Sequence, residues 1–510
     1  MRWVLLAAAA YAAATLVRYY VLGPGPRFPV ESAFFIFVGV GAIAVLVRRA
    51  GPERPGLYNG GPARPALQHK GPGLRVVALA ALLIFATFLL YAPALRVGLL
   101  SDDFVIAAWA ERLELVHFEA TGFVRPGVPL FWRMLQTLPA DFGVTAHAAN
   151  IVLHGVNAAL VSVIALRFGV RRPEAVAAGA MFAVFPGLSE AVVWLSGVQD
   201  VLMTTLVLTA VVLATAADPR VILAVVTGLA ALLVKETAIV IPLLAALVVA
   251  ARDGVRPGRK QQFALASLAV ISVGYALARA AVGVPSSFLD VGDWRYFVKQ
   301  LVANAFAAVG APWTVEWGRM HAGIALMRAS AIVVLLAAAF FTWRRRDVTF
   351  RAAAACAAWV LAAAVPAFSL FYVGPNLEGA RYVYLAAAGF AILLALLVGL
   401  AADRFRFVPR TVAITLLTAL LAAPCLPAVR GDLRRWQAAA GVRQDILGRV
   451  RPEADRAGCT RFAAEGEADS VAGAYVFRHG LAEALGVRAT TAHVPCRVVM
   501  TSGVLMVEPQ

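Results

Sequence analysis

The stretch 99-LLSDDFVIAAW-109 sets two carboxylates, Asp102 and Asp103, directly after a long apolar run. A carboxylate within reach of a hydroxyl or amine can take its proton as a general base, and a second can orient the first, bind a metal or hold sugar hydroxyls. The pair can also cap a helix, with Ser101 or Asp102 accepting from free backbone N–H groups while 103–116 lies along a membrane surface. A cap needs one acceptor and leaves the second acid unexplained. Further ionisable groups recur at the ends of other apolar runs: Arg125, His147, His154, Glu190, Asp200, Lys235, Glu236, Glu378 and Arg381. Taken singly, each is a charge sitting in water at the end of a span. An ionisable side chain at bilayer depth costs about 2.5–3.5 kcal/mol on insertion scales, so the set, with both signs present, points to a shared polar cavity. His147 and His154 fall on one helix face two turns apart, which suits packing hydrogen bonds or a metal. There is no dedicated ligand cluster; a divalent cation would fall to Asp102 or Asp103, and no organic cofactor is expected.

The elements that must position these groups are apolar. Of 510 residues, 61% are hydrophobic and 15% charged, against about half and a quarter in soluble domains, which makes the chain an integral membrane protein in contact with lipid. About 13 spans are expected, at 3–22, 31–47, 75–97, 146–166, 174–192, 200–217, 221–234, 237–251, 262–283, 322–343, 352–373, 382–402 and 411–428. The leading run is too long for a signal-peptide core and is expected to be retained. The net charge of +17 is spread over separate loops, which excludes a nucleic-acid partner. Threading the spans in order puts the arginine clusters at 48–64, 167–172, 252–260, 344–351 and 404–410 on one side, the cytoplasm. The N-terminus is then cytoplasmic, and the acids of 98–145 and the tail face out.

The domain organisation follows: two leading transmembrane helices in 1–50, a Gly/Pro-rich cytoplasmic linker at 51–74, a transmembrane domain at 75–428 with outer loops 98–145 and 284–320, and a small α/β extracytoplasmic domain at 429–510. In the last, 471–485 has helical and 496–507 strand character. Cys459 and Cys496 both lie in this tail and are expected to form a disulfide; Cys356 lies within a span as packing. Phe477-Arg478-His479 either reaches a ligand or is plain surface.

Read in order, 123-FVRPGVPLFW-132, 147-HAANIVLHGVNAALV-161, 181-MFAVFPGLSEAVVWLSGVQDVL-202, 233-LVKETAIVIPLL-244 and 378-EGARYVYLAAAGF-390 carry more than their composition. Over roughly 75–400 the chain resembles the GT-C superfamily of membrane glycosyltransferases. It is most similar to the transmembrane O-mannosyltransferases that carry tetratricopeptide repeats, and to their bacterial relatives. The matching elements are the Asp102-Asp103 pair, Phe123-x-Arg125-Pro126, His147-x-x-Asn150-x-x-x-His154, Pro186-x-x-x-Glu190-Ala-Val, and Lys235-Glu236 with Pro242. Three departures stand out. The family's G-R-x-D reads Gly197-Val198-Gln199-Asp200 here, without the arginine, the Glu-Arg-Tyr element is loosened to Glu378-Gly-Ala-Arg381-Tyr382, and there are no tetratricopeptide repeats.

The resemblance implies an all-α polytopic GT-C fold and an inverting glycosyltransferase of the cytoplasmic (inner) membrane. It would move a sugar from a polyprenyl-phosphate donor to an unidentified protein, glycan or lipid acceptor at the outer face. Asp102 or Asp103 would be the general base. Arg381 and Lys235 would meet the donor phosphate, and Arg125, Glu190, Asp200, Glu236, His147, His154 and Tyr382 would bind substrate or support the cations. Blander readings stand beside these: Lys235-Glu236 as a neutralised connector and Arg381 as an interfacial anchor. The rival functions are a transporter or flippase for a lipid-linked sugar, and a non-catalytic GT-C scaffold. Transport needs polar groups at mid-bilayer and on both sides, whereas these acids cluster on one face, which favours the enzyme.

Overall fold

The computed structural model describes residues 72–115, 124–253, 257–281, 348–368, 379–405, 407–456, 462–465, 470–471, 473–485, 496–501 and 504–509. The expected spans at 3–22, 31–47 and 322–343, the outer loop 284–320, most of the linker, Glu378 and Cys459 lie outside them, as does the side chain of Cys496. The described chain is mostly helical with little sheet. Among the described residues, six helices are long and apolar enough to cross a membrane: Ala78–Arg96, Phe142–Arg167, Leu195–Ala214, Arg259–Ala281, Ala380–Ala402 and Arg410–Pro452. A bent pair, Arg172–Ala183 with Pro186–Val193, makes a seventh if counted as one span.

In chain order the helices are α1 (Pro72–Tyr91), α2 (Asp102–Arg112), α3 (Gly127–Gln136), α4 (Phe142–Arg167), α5 (Arg172–Ala183), α6 (Ser189–Val193) and α7 (Val198–Ala214). Then come α8 (Val221–Val234), α9 (Ile241–Asp253), α10 (Arg259–Ala281), α11 (Val348–Phe368), α12 (Tyr384–Ala402), α13 (Arg410–Ala422) and α14 (Cys425–Arg456). Helix α4 is apolar on every side and sits at the centre of the bundle, buried along almost its whole length, as an all-round apolar helix must be. Asp141 caps its start, accepting from Val144 N at 2.9 Å. Gly155 lets α1 lie against it: a Cβ there would meet Ile84 Cα at 2.7 Å. Several hydroxyls within the helices bond back four residues, as Thr87 Oγ1 does to Leu83 O at 2.7 Å and Thr215 Oγ1 to Val211 O at 2.7 Å.

The breaks matter most for function. Pro186 cannot continue the ladder of α5, and Phe185 before it is extended, so the chain turns by 56° and delivers Glu190 on α6. At the foot of α8, Lys235 is extended (φ −156°, ψ 133°) before a 3₁₀ turn, Glu236–Val240, leads into α9. That break turns two consecutive charges inward. Helix α14 runs 32 residues to Arg456, well past the boundary expected near 429.

Beyond α14, β1 (Phe462–Glu465) pairs in parallel with β4 (Cys496–Thr501), which pairs antiparallel with β5 (Val504–Pro509). The strands expected in 496–507 are present. The helix expected over 471–485 is not. Its place holds a two-stranded ladder, β2 (Ser470–Val471) with β3 (Ala474–Tyr475), and one turn, α15 (Leu481–Ala484). Gly473 and Gly480, at φ 87° and 89°, interrupt what the apolar spacing would otherwise allow.

Candidate functional site

The loop 97–101 delivers the two aspartates, and nearly all of its backbone is tied down. Arg443 on α14 donates to Val97 O at 3.2 Å and Leu99 O at 2.7 Å, His147 bonds Gly98 O at 3.1 Å, and Trp194 Nε1 donates to Leu100 O at 3.2 Å. Ser101 N donates to Val476 O at 2.8 Å. The expected N-cap is not formed: Ser101 stands at the N-cap position of α2, yet its side chain bonds no N–H of that helix. The hydroxyl is turned instead to Asp102 Oδ1 at 3.2 Å and to His479 N at 3.3 Å.

The aspartates differ sharply. Asp103 is 0% exposed. Its Oδ2 accepts from Leu100 N at 2.8 Å, and its Oδ1 from Ser196 N at 2.7 Å and Ser196 Oγ at 2.5 Å. Burial raises its carboxyl to about 7, against the lowering effect of those donors. Asp103 thus pins the loop to the turn before α7. Asp102 is partly exposed, and the only partner of its carboxylate among the described residues is the Ser101 hydroxyl.

Trp194 leads from this loop to the cations. The Arg381 guanidinium lies over its ring at 4.6 Å and over the Tyr382 ring at 4.5 Å. Arg381 also pairs through Nη1 with Glu190 Oε1, its backbone N donates to Glu190 Oε2 at 3.1 Å, and Nη2 donates to Tyr382 Oη at 2.7 Å. Lys235 Nζ also lies over the Tyr382 ring, 4.8 Å from its centroid, and donates to Asp200 Oδ1 at 2.5 Å. Next, Arg125 grips Glu236 with a two-pronged bond and donates to Gln199 Oε1 at 2.5 Å. Arg279 completes the row, 3.9 Å from Glu236. Burial lowers the Lys235 ammonium despite Asp200; burial opposes ionisation of Glu236 as well, but Arg125 and Lys235 hold its carboxyl down at about 2.

Glu190, Arg381, Tyr382, Lys235, Asp200, Glu236 and Arg125 therefore form one polar row, and Trp194 joins it to the loop that carries Asp102 and Asp103. The Gln199 side chain faces the Arg125 guanidinium, where a second cation would repel it. The histidines do not join the row. His154 donates through Nε2 to Ala183 O at 3.2 Å, so its Nδ1 accepts from Tyr384 Oη at 2.7 Å, and Asn157 donates to the same hydroxyl at 3.2 Å. His147 serves the loop carbonyl. Among the described residues no group of three His, Cys, Asp or Glu side chains is placed to hold a metal.

The sequence reading missed several contributors. Tyr475 from the tail packs against both Trp194 and Trp436, with ring centroids at 4.7 and 6.0 Å. Its hydroxyl accepts from Arg381 Nη1 at 3.1 Å and donates to Glu190 Oε1 at 3.3 Å. Ser189, beside Glu190, bonds the buried Asp432 of α14. No motif marks Tyr475, Trp194, Trp436, Ser196 or Arg443. No protein-family model, curated protein or solved structure matches this chain.

Proposed function

We propose that the chain is an inverting membrane glycosyltransferase of GT-C type, which moves a sugar from a polyprenyl-phosphate donor to a protein, glycan or lipid acceptor. The observation that carries this reading is a partly buried carboxylate on a rigid loop which Trp194 joins to a guanidinium packed against aromatic rings. Asp102 takes the acceptor's proton as its oxygen attacks the anomeric carbon. The bond from that carbon to the phosphate oxygen breaks, and polyprenyl phosphate leaves. Direct displacement inverts the anomeric centre. Asp103, with both oxygens engaged, supports the loop rather than exchanging protons with substrate.

The departing phosphate needs no proton if positive charge meets it. Arg381 and Lys235 supply that charge, and Glu190 and Asp200 hold them in place until donor binds. The same reading includes about 13 spans, a cytoplasmic N-terminus, and an active site and small tail domain at the outer face of the cytoplasmic membrane.

The test is turnover of a panel of polyprenyl-phosphate sugars in proteoliposomes. Asp102→Asn should lose at least about 100-fold in kcat, the usual worth of a general base, while keeping its fold. Unchanged transfer by Asp102→Asn would sink the assignment, and donor binding undiminished in Arg381→Ala would remove the phosphate role of that residue.

A further inference from the structure

The tail meets the Asp102 loop along one short stretch. Ser101, immediately before Asp102, has φ 51° and ψ −123°, a conformation that side chains disfavour and that persists only when its surroundings hold it. Those surroundings come from residues 475–480. Val476 O accepts from Ser101 N at 2.8 Å, and His479 N donates to Ser101 Oγ at 3.3 Å. Gly480 lies so close that a Cβ there would stand 2.5 Å from Ser101 O. Phe477 stacks on Phe104, in the first turn of α2, with ring centroids at 5.9 Å. Tyr475, at the start of the same stretch, holds Arg381 and Glu190. Helix α14 anchors both partners, through Arg443 to the loop and through Arg451, which donates to Ala484 O at 3.0 Å.

We propose that residues 475–480 are a positioning strap that sets the Asp102 carboxylate and the Arg381 guanidinium relative to each other. The strap rests on the reading of Asp102 as base. It holds Ser101 in its strained conformation from one side and fixes Arg381 through Tyr475 on the other. Misplacing a reacting group by about 1 Å costs on the order of 100-fold in rate, so such a strap controls kcat more than donor affinity.

The experiment uses the full-length protein in proteoliposomes. Gly480→Ala forces a methyl against Ser101 O, and Phe477→Ala removes the anchor on Phe104. Each should lower kcat by about 10- to 100-fold with donor KM within about twofold. In the Gly480→Ala background, Ser101→Gly should recover part of the loss, because glycine holds that conformation without help. Loss of a purely structural tail would not be relieved by relaxing residue 101. A second readout needs no turnover: modification of an Asp102→Cys variant by a membrane-impermeant maleimide should speed up about 10-fold when either strap substitution is added. Unchanged labelling in both backgrounds would overturn the strap whatever the chemistry, and so would faster labelling with kcat untouched. Faster labelling from a protein that in no form turns over any polyprenyl-phosphate sugar would leave the strap standing and remove the glycosyltransferase reading. If Gly480→Ala does not fold, Phe477→Ala carries both readouts.

Discussion

Asp103 accepts three hydrogen bonds in full burial, whereas Asp102, one residue earlier, is partly exposed; neighbours in sequence have become chemically different acids. The difference has a pH signature. In the unfolded chain the Asp103 carboxyl loses its proton near 3.8, and in the folded protein near 7, raised by burial and by the neighbouring charge of Asp102. Between those values the folded state binds the extra proton, so stability falls as pH rises from about 4 to about 7 and is level above that. Arg443 is the cation facing this group and moderates the effect. Asp103→Asn should flatten the slope, which denaturant unfolding in detergent at pH 4.5 and 7.5 would reveal. An unchanged slope would assign it to other groups. The same arrangement explains why the sequence pair left the base unassigned. Which of two adjacent acids is buried depends on Ser196, 93 residues away, and no spacing rule reaches that far.

At the scale of elements, the ends of the apolar runs were informative. Lys235 and Glu236 sit where α8 stops, Glu190 follows the Pro186 break, and Arg381 opens the 3₁₀ turn before α12; each lies near a discontinuity that the residue types announce. Their partners were not legible. Arg125 finds Glu236 across 111 residues and Arg381 finds Glu190 across 191, pairings that only helix packing decides. Tyr475 and Trp436 look like ordinary tail and helix aromatics until α14 brings them together. That packing leaves little slack. Gly155→Val should push α1 from α4 and destabilise the protein by about 1–3 kcal/mol, as overpacking does, while Gly274→Ala, where a Cβ meets nothing within 4 Å, should have little effect. Thermal unfolding of the purified variants would separate the two, and equal midpoints would refute close contact at Gly155.

For the whole molecule, the decisive contrast is between the band of buried charge and the apolar exterior. Helices α8 and α10 turn Ile222, Val226, Phe263, Val270, Val273 and Leu277 outward among the described residues, as helices facing lipid do. Val270 is 69% exposed and near the middle of α10. An arginine there would cost about 2.5–3.5 kcal/mol on insertion scales. Val270→Arg should therefore reduce the membrane-inserted fraction, whereas Val270→Leu should not. Equal insertion of the two would place this face away from lipid.

Ser101 and His479 meet although 378 residues separate them. A chain made from its N-terminus inserts its early helices long before Gly480 leaves the ribosome. Through that interval the loop bearing Asp102 lacks Val476, His479 and Gly480, and Arg381 lacks Tyr475. The half-made protein can already sit in a bilayer with Asp102 and Arg381 synthesised, but without the tail contacts that hold them. The candidate site is complete only in a late step, when the last part of it to be synthesised closes over the first.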